Sequence, residues 1–116
     1  MTTILYGIPN CDTVKKARKW LEANNIDYQF HDFRKQGLDE ALLADWFQSP
    51  GWEALLNKRG TTWRQQPQQV KDAIDPESAK QLMLDNPAII KRPVTVTQNS
   101  VSVGFKPDQY SELFSK

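Results

Sequence analysis

The sequence lacks most of the residues from which disulfide frameworks and metal centres are built. Its 116 residues contain one cysteine, Cys11, and one histidine, His31. One cysteine cannot form an internal disulfide, and structural zinc sites usually need four Cys or His ligands, so we expect no metal. The first residues show no basic segment ahead of an apolar one, and a lone thiol suits the reducing cytosol. We therefore expect a cytoplasmic protein.

Long apolar runs and an excess of one charge are missing as well. No run approaches the roughly 18 apolar residues that a membrane span requires. Fifteen Lys and Arg against fourteen Asp and Glu give a net charge of +1, which argues against direct binding to nucleic acid or to a membrane surface. Gly-rich phosphate loops, paired-carboxylate motifs and H-E-x-x-H stretches are absent. The length and a hydrophobic content of 39% indicate a single globular domain.

The first third of the chain has the pattern of strand, turn, helix and strand. Residues 3–6 and 26–33 are rich in strand-forming residues, and residues 11–25 have helical periodicity. Gly7 is predicted to break the first strand after Tyr6, and Asn10 or Asp12 to cap the helix. A crossover helix of this length implies that the two strands are parallel.

The rest of the chain is predicted to be a helical block followed by a hairpin and a closing helix. The block spans residues 34–86 and includes a helix that begins at Asp75-Pro76, while residues 60–62 are predicted to be a loop. Residues 94–97 and Val101–Val103 alternate in the manner of hairpin strands, and Pro107 opens the last helix. The element order is therefore β-α-β, helices, then β-β-α.

Cys11 is the first candidate functional residue, because it follows a strand and a turn and opens a helix. The unpaired N–H groups and the dipole of a helix N-terminus favour a thiolate, and cysteines so placed titrate at about 3.5–7.5 instead of about 8.5. The alternative is a small buried hydrophobic residue. Three positions later stands Val14, so a C-x-x-C pair is absent. A resolving thiol must then come from another molecule, most simply glutathione.

Arg92-Pro93 is the second candidate, since an X-Pro bond at the entry to a strand is a candidate cis-proline. A guanidinium at this place can hold a carboxylate or an oxyanion through two hydrogen bonds; the alternative is a solvated arginine before a trans proline. Lys58, Arg59 and Arg64 form a weaker candidate, a basic loop that could bind an anion or simply be solvated.

His31 and the tryptophans are predicted to be structural. His31 lies on the strand face opposite Tyr28 and Phe30, where an exposed strand residue is commoner than a catalytic base. Core or interface positions are expected for the four tryptophans, Trp20, Trp46, Trp52 and Trp63.

Three segments resemble a known family: ILYGIPNCDTVKKARKWL, NPAIIKRPV and VGFKPDQY. With them the chain resembles the arsenate reductase (ArsC) and Spx-like branch of the thioredoxin-like proteins, closest to its single-cysteine YffB-type subgroup. The resemblance covers nearly the whole chain. It implies an α/β, thioredoxin-like fold with a mixed four-stranded sheet and a helical insertion. One domain would comprise a β-α-β half (1–33), the insertion (34–86) and a β-β-α half (87–116).

The resemblance also implies a catalytic site. The family's nucleophilic cysteine falls on Cys11, the arginine before its cis-proline on Arg92, and the proline itself on Pro93. Asn10, beside the cysteine, joins the expected anion-binding set.

Two further arginines bind the oxyanion in arsenate reductases. One aligns with Asn57 and is therefore lost, unless a shifted loop brings Lys58 or Arg59 into its place. The other falls near Lys106, which keeps the charge without the planar fork. Arg59 and Lys106 are thus the remaining expected anion-binding residues.

Three functions follow from these residues and the resemblance. The first is a glutathione-dependent monothiol thiol–disulfide oxidoreductase with Cys11 as nucleophile, acting on a small thiol and a disulfide substrate. The second is an oxyanion reductase of the arsenate type. The third is an Spx-like regulator that binds a transcription partner through the helical block, although Spx-like regulators typically carry C-x-x-C where this chain has C-x-x-V.

Overall fold

A four-stranded mixed sheet organises the computed structural model, which describes residues 3–98 and 100–115. The strands are β1 (Thr3–Gly7), β2 (Tyr28–Asp32), β3 (Val94–Val96) and β4 (Val101–Val103), in the spatial order β2-β1-β3-β4. β1 pairs parallel with β2 and antiparallel with β3, and β3 pairs antiparallel with β4. The predicted parallel pair, the hairpin and the mixed α/β sheet are confirmed.

The helices lie between and after these strands. In chain order they are α1 (Asp12–Ala23), α2 (Phe33–Gln36), α3 (Glu40–Gln48), α4 (Trp52–Leu55), α5 (Thr61–Arg64), α6 (Gln68–Asp72), α7 (Pro76–Asp85), a 3-10 turn (Pro87–Ile89) and α8 (Pro107–Phe114). The chain divides into two compact units. The sheet unit comprises both ends of the chain, up to Gln36 and from Arg92 onward; the helical unit is Gly37–Lys91. The division into one domain with an insertion at 34–86 stays a prediction.

α1 packs one apolar face into the core of the sheet unit. Its Val14, Ala17 and Leu21 recur at helical spacing, and all three are fully buried together with Leu5 of β1 and Tyr110 of α8. α1 ends at Ala23, within the segment of helical periodicity: the N–H of Asn24 donates to the carbonyl of Trp20, and Asn25 has a φ of 56°. Left-handed backbone of this kind terminates helices, and asparagine tolerates it.

Tyr110 and Thr95 carry the polar contact inside this core. Both side chains are fully buried, and their hydroxyl oxygens are 2.5 Å apart. Burial raises the pKa of Tyr110 to about 12, although the hydrogen bond with Thr95 lowers it. The folded pKa lies above the value near 10 of an unfolded phenol. The phenol's contribution to stability is therefore complete below about pH 10 and is lost as the pH rises toward 12.

The helical unit has a core of its own. α7 begins as predicted at Asp75, whose carboxylate accepts from the N–H of Ser78 at 2.8 Å while the Ser78 hydroxyl accepts from the N–H of Asp75 at 3.0 Å. This reciprocal pair is a capping box.

The buried apolar side chains of the helical unit form its core: Leu43, Trp46, Leu55, Leu56, Trp63, Ala79, Met83, Ile89 and Ile90. Trp20 and Trp52 are half-buried.

The sequence prediction was wrong at the junction between β1 and α1. β1 includes Gly7, and the N-cap of α1 is Cys11 instead of Asn10 or Asp12. Cys11 has extended backbone, with φ −87° and ψ 126°, and its carbonyl accepts from the N–H of Lys15 at 2.9 Å. It therefore occupies the boundary position itself.

The second strand is shorter than predicted. It ends at Asp32, because Phe33 begins α2. The Asp32 carboxylate accepts from the N–H of Lys35 at 3.3 Å, and the Gln36 side chain accepts from the N–H of Asp32 at 3.0 Å. These local hydrogen bonds favour a helical turn over continued strand pairing.

The prediction of a loop at residues 60–62 was also wrong. Thr61 begins α5, in which the N–H of Arg64 donates to Gly60 and that of Gln65 to Thr61. The buried ring of Trp63 anchors this short helix in the helical unit. Within the described parts of the chain, no helix is both long enough and apolar enough to cross a bilayer.

Tyr110→Phe is expected to destabilise the protein by about 1–3 kcal/mol, because the buried Thr95 hydroxyl loses its partner. Adding Thr95→Val removes that hydroxyl with little change of shape, so the double variant should recover much of the loss. Urea unfolding of the wild type, both single variants and the double variant measures the coupling. Purely additive effects would contradict a hydrogen bond between the two side chains.

Candidate functional site

The pairing of β1 with β3 places two distant segments at one end of the sheet. Tyr6, near the end of β1, pairs with Val94, the first residue of β3. The chain leaves β1 toward Cys11, and it enters β3 from Arg92 and Pro93. Because the strands are antiparallel, the end of β1 and the start of β3 lie at the same end of the sheet, and both segments emerge there.

Cys11 lies at the N-terminus of α1, as the sequence predicts. Its N–H donates to the carbonyl of Ile8 at 3.2 Å, which closes the turn after β1. The thiol is half-buried and packs against the core below α1. Its sulfur does not complete a regular capping hydrogen bond, but the N–H groups of Val14 and Thr13 are near enough to act on it.

Arg92 contacts Cys11 at this end of the sheet. The Arg92-Pro93 peptide bond is cis, as the sequence indicated it could be. The Arg92 side chain hydrogen-bonds the Cys11 sulfur and brings a positive charge to it. Pro93 is buried, and its carbonyl accepts from the N–H of Gly104 at 2.9 Å, so that the β3–β4 hairpin holds the segment that carries Arg92.

The environment of Cys11 lowers the pKa of its thiol below the ordinary value. Partial burial is the largest single influence, and it raises the pKa because it disfavours the charged thiolate. The N–H of Val14, the hydrogen bond from Arg92, the N–H of Thr13 and the charge of Arg92 all lower it, and together they outweigh burial. The site therefore favours a thiolate, the nucleophilic form of cysteine.

The other predicted anion-binding residues are distributed over both units. Asn10 is exposed and directly precedes Cys11, and Lys106 is exposed as the N-cap residue of α8. Arg59 belongs to the helical unit, where its N–H donates to the Asn57 side chain at 3.2 Å. The roles of Asn10, Lys106 and Arg59 toward an anion stay predictions.

Two further predicted features have structural partners. In the basic loop, the ammonium of Lys58 lies 5.8 Å from the centre of the Trp63 ring, and the guanidinium of Arg64 donates to the carbonyl of Arg59.

His31 is half-buried against Tyr6, with ring centres 4.8 Å apart. The prediction of an exposed strand residue is therefore corrected: the ring of His31 packs against that of Tyr6.

Sequence reasoning missed the particular donors to the sulfur. It predicted a helix N-terminus in general, whereas Val14 and Thr13 supply the N–H groups. The available signal was the cap position: an N-cap side chain faces the N–H groups two and three residues on, which from Cys11 are Thr13 and Val14.

The comparison with protein families agrees with this architecture. The ArsC family profile matches residues 6–113. The chain belongs to the ArsC family. Its one cysteine fits the YffB-type subgroup, and its sheet matches the thioredoxin-like fold of the solved ArsC structures.

Two solved structures are similar over nearly the whole chain. The YFFB (PA3664) protein is 44% identical with a TM-score of 0.91, over 95% of this chain and 96% of that one. An arsenate reductase (ArsC) related protein from Brucella melitensis is 48% identical with a TM-score of 0.80, over 100% of this chain and 97% of that one.

Curated relatives are similar over comparable lengths. An uncharacterized protein of Haemophilus influenzae is 43% identical over 96% of this chain and 97% of its own length. The global transcriptional regulator Spx of Streptococcus pyogenes is 26% identical over 97% of this chain and 84% of its own length.

Arg92→Leu is expected to raise the pKa of Cys11, because both the hydrogen bond and the positive charge are lost while burial remains. Arg92→Lys keeps the charge without the planar fork, so a smaller rise is expected. The rate of alkylation by iodoacetamide, followed against pH, measures both variants. Equal pKa values in wild type and Arg92→Leu would contradict the contact between Arg92 and the sulfur.

Proposed function

We propose that the protein is a monothiol thiol–disulfide oxidoreductase that uses Cys11 as nucleophile and glutathione as co-substrate. The observation that carries this proposal is the Cys11 sulfur at the start of α1, with the Arg92 side chain hydrogen-bonded to it. A thiol with a lowered pKa exists as thiolate at a pH closer to neutral, and the thiolate attacks disulfides. The chain has no second cysteine, so the second thiol comes from another molecule.

The reaction proceeds in two exchanges. The Cys11 thiolate attacks the glutathione sulfur of a mixed disulfide; the substrate thiol leaves, takes up a proton, and Cys11 carries the glutathione. A second glutathione thiolate then attacks the glutathione sulfur of this intermediate. Glutathione disulfide is released and the Cys11 thiolate returns. The substrate sulfur is reduced to a thiol, the incoming glutathione thiol is oxidised, and the two glutathione units leave as one disulfide.

Arg92 has two roles in this proposal. In the free protein its guanidinium stabilises the thiolate, and in the complex its positive charge attracts a carboxylate of glutathione. Pro93 shapes the surface beside the sulfur. Asn10 and Lys106 are proposed to contribute polar and cationic groups to the same anionic ligand, and the reducing conditions required place the reaction in the cytoplasm.

Cys11→Ser is expected to abolish reduction of a glutathionylated peptide by glutathione, because an alcohol cannot form the mixed disulfide. Lys80→Ala is the control, since it removes only the surface ion pair with Glu40, at 3.8 Å, and should retain full activity. The measurement is the rate of glutathione disulfide formation. Wild-type activity no higher than the protein-free rate, or full activity in Cys11→Ser, would contradict the proposal.

A second candidate is reduction of arsenate through a Cys11 adduct. It is favoured by the 48% identity to the protein described as related to arsenate reductase. Against it stands the chemistry of the chain, because Asn57 and Lys106 occupy the positions where the resemblance expects two oxyanion-binding arginines. Turnover of arsenate with glutathione by the wild type would establish this alternative, and its absence would remove it.

A regulatory role is the third candidate, and the Spx relatives are the observation behind it. Here the helical unit would bind a protein partner, and Cys11 would be incidental. Normal partner binding by Cys11→Ser in a pull-down, together with no thiol reductase activity in the wild type, would favour this role over the first.

A further inference from the structure

Gly7, the last residue of β1, approaches α1 more closely than any other residue type could. A Cβ atom at this position would lie 2.8 Å from Cγ2 of Val14 and 3.6 Å from its Cγ1. Carbon atoms attract one another at about 3.5–4.0 Å, so the shorter separation is a clash. Gly7 is not among the positive-φ glycines. The close approach of β1 to α1 therefore explains why this position is a glycine.

Val14 cannot easily yield to such a clash. Its side chain is fully buried against Leu5, Ala17, Leu21 and Tyr110. A β-branched side chain in a helix has one strongly preferred rotamer, and a close-packed core leaves little room for another. A side chain at Gly7 would therefore displace the first turn of α1 instead of merely turning the Val14 side chain.

The first turn of α1 is also where the sulfur finds its backbone donors. The N–H groups of Val14 and Thr13 both act on the Cys11 sulfur and lower its pKa. Cys11 is held on the strand side by its bond to the carbonyl of Ile8 and by the Arg92 side chain. A displacement of the turn would consequently change the separation between the sulfur and the Val14 N–H.

We propose that Gly7 is a positioning residue for Cys11: the missing side chain lets the first turn of α1 lie against β1, where the Val14 N–H reaches the sulfur. The inference rests on the proposed function only in requiring a thiolate at Cys11. Gly7 itself touches neither substrate nor the reacting atoms.

The test is the pKa of Cys11 in a double-mutant cycle, measured by the pH dependence of iodoacetamide alkylation. Gly7→Ala is expected to raise the pKa, so that alkylation below the pKa slows by about three- to tenfold, since one pKa unit changes the thiolate fraction about tenfold. Val14→Ala alone keeps the backbone N–H and should leave the pKa unchanged. In the double variant the nearest remaining Val14 atom is Cβ, at 3.8 Å, so the wild-type pKa should return.

Two outcomes would overturn the proposal. One is a folded Gly7→Ala protein with the wild-type pKa; the other is a double variant whose pKa is as high as that of Gly7→Ala. If thermal melts show that Gly7→Ala does not fold, the double variant is compared with Val14→Ala. Equal pKa values support the proposal, and a raised pKa in the double variant contradicts it.

This test is independent of the enzymatic proposal. Alkylation requires neither glutathione nor a disulfide substrate. A failure of the cycle leaves the reductase proposal standing, and an inactive wild type leaves the role of Gly7 standing.

Discussion

The position of β1 between β2 and β3 is the constraint on which the site depends. β1 supplies the turn that carries Cys11, and its antiparallel register with β3 brings Arg92 to the same edge. The parallel pairing with β2 requires the crossover helix α1, whose N-terminus then lies beside that edge. One strand thus determines where the sulfur, its charged partner and its backbone donors are found.

The chemistry of the site is a balance between burial and hydrogen bonding. Burial of the Cys11 sulfur against the core opposes the thiolate, while two backbone N–H groups and Arg92 favour it and prevail. The same balance links the site to stability. Because folding lowers the pKa of Cys11, the thiolate stabilises the protein above the pKa of the unfolded thiol, and this contribution is lost as the pH falls through the folded pKa. Tyr110 shows the opposite case, since burial there prevails over one hydrogen bond.

Much of this arrangement could be predicted from local sequence patterns. The β-α-β order, the hairpin and the cap at Asp75 depend on periodicity and on short-range hydrogen bonds, and the resemblance linked Cys11 to Arg92. The remainder depends on distances that no pattern contains. Phe33 enters a helix because of local hydrogen bonds that join Asp32 to Lys35 and to Gln36, and α5 forms where Gly and Thr suggested a loop. The closeness of β1 to α1 at Gly7 is likewise a tertiary contact.

The central claim is that this fold holds Cys11 as a thiolate, and the pKa of Cys11 in the wild-type protein tests it most directly. The chain has one cysteine, so the pH dependence of its alkylation rate needs no assignment. The account predicts a midpoint clearly below about 8.5, the pKa of a free cysteine. A midpoint at or above about 8.5 would show that burial prevails over the N–H groups and Arg92, and would contradict the account.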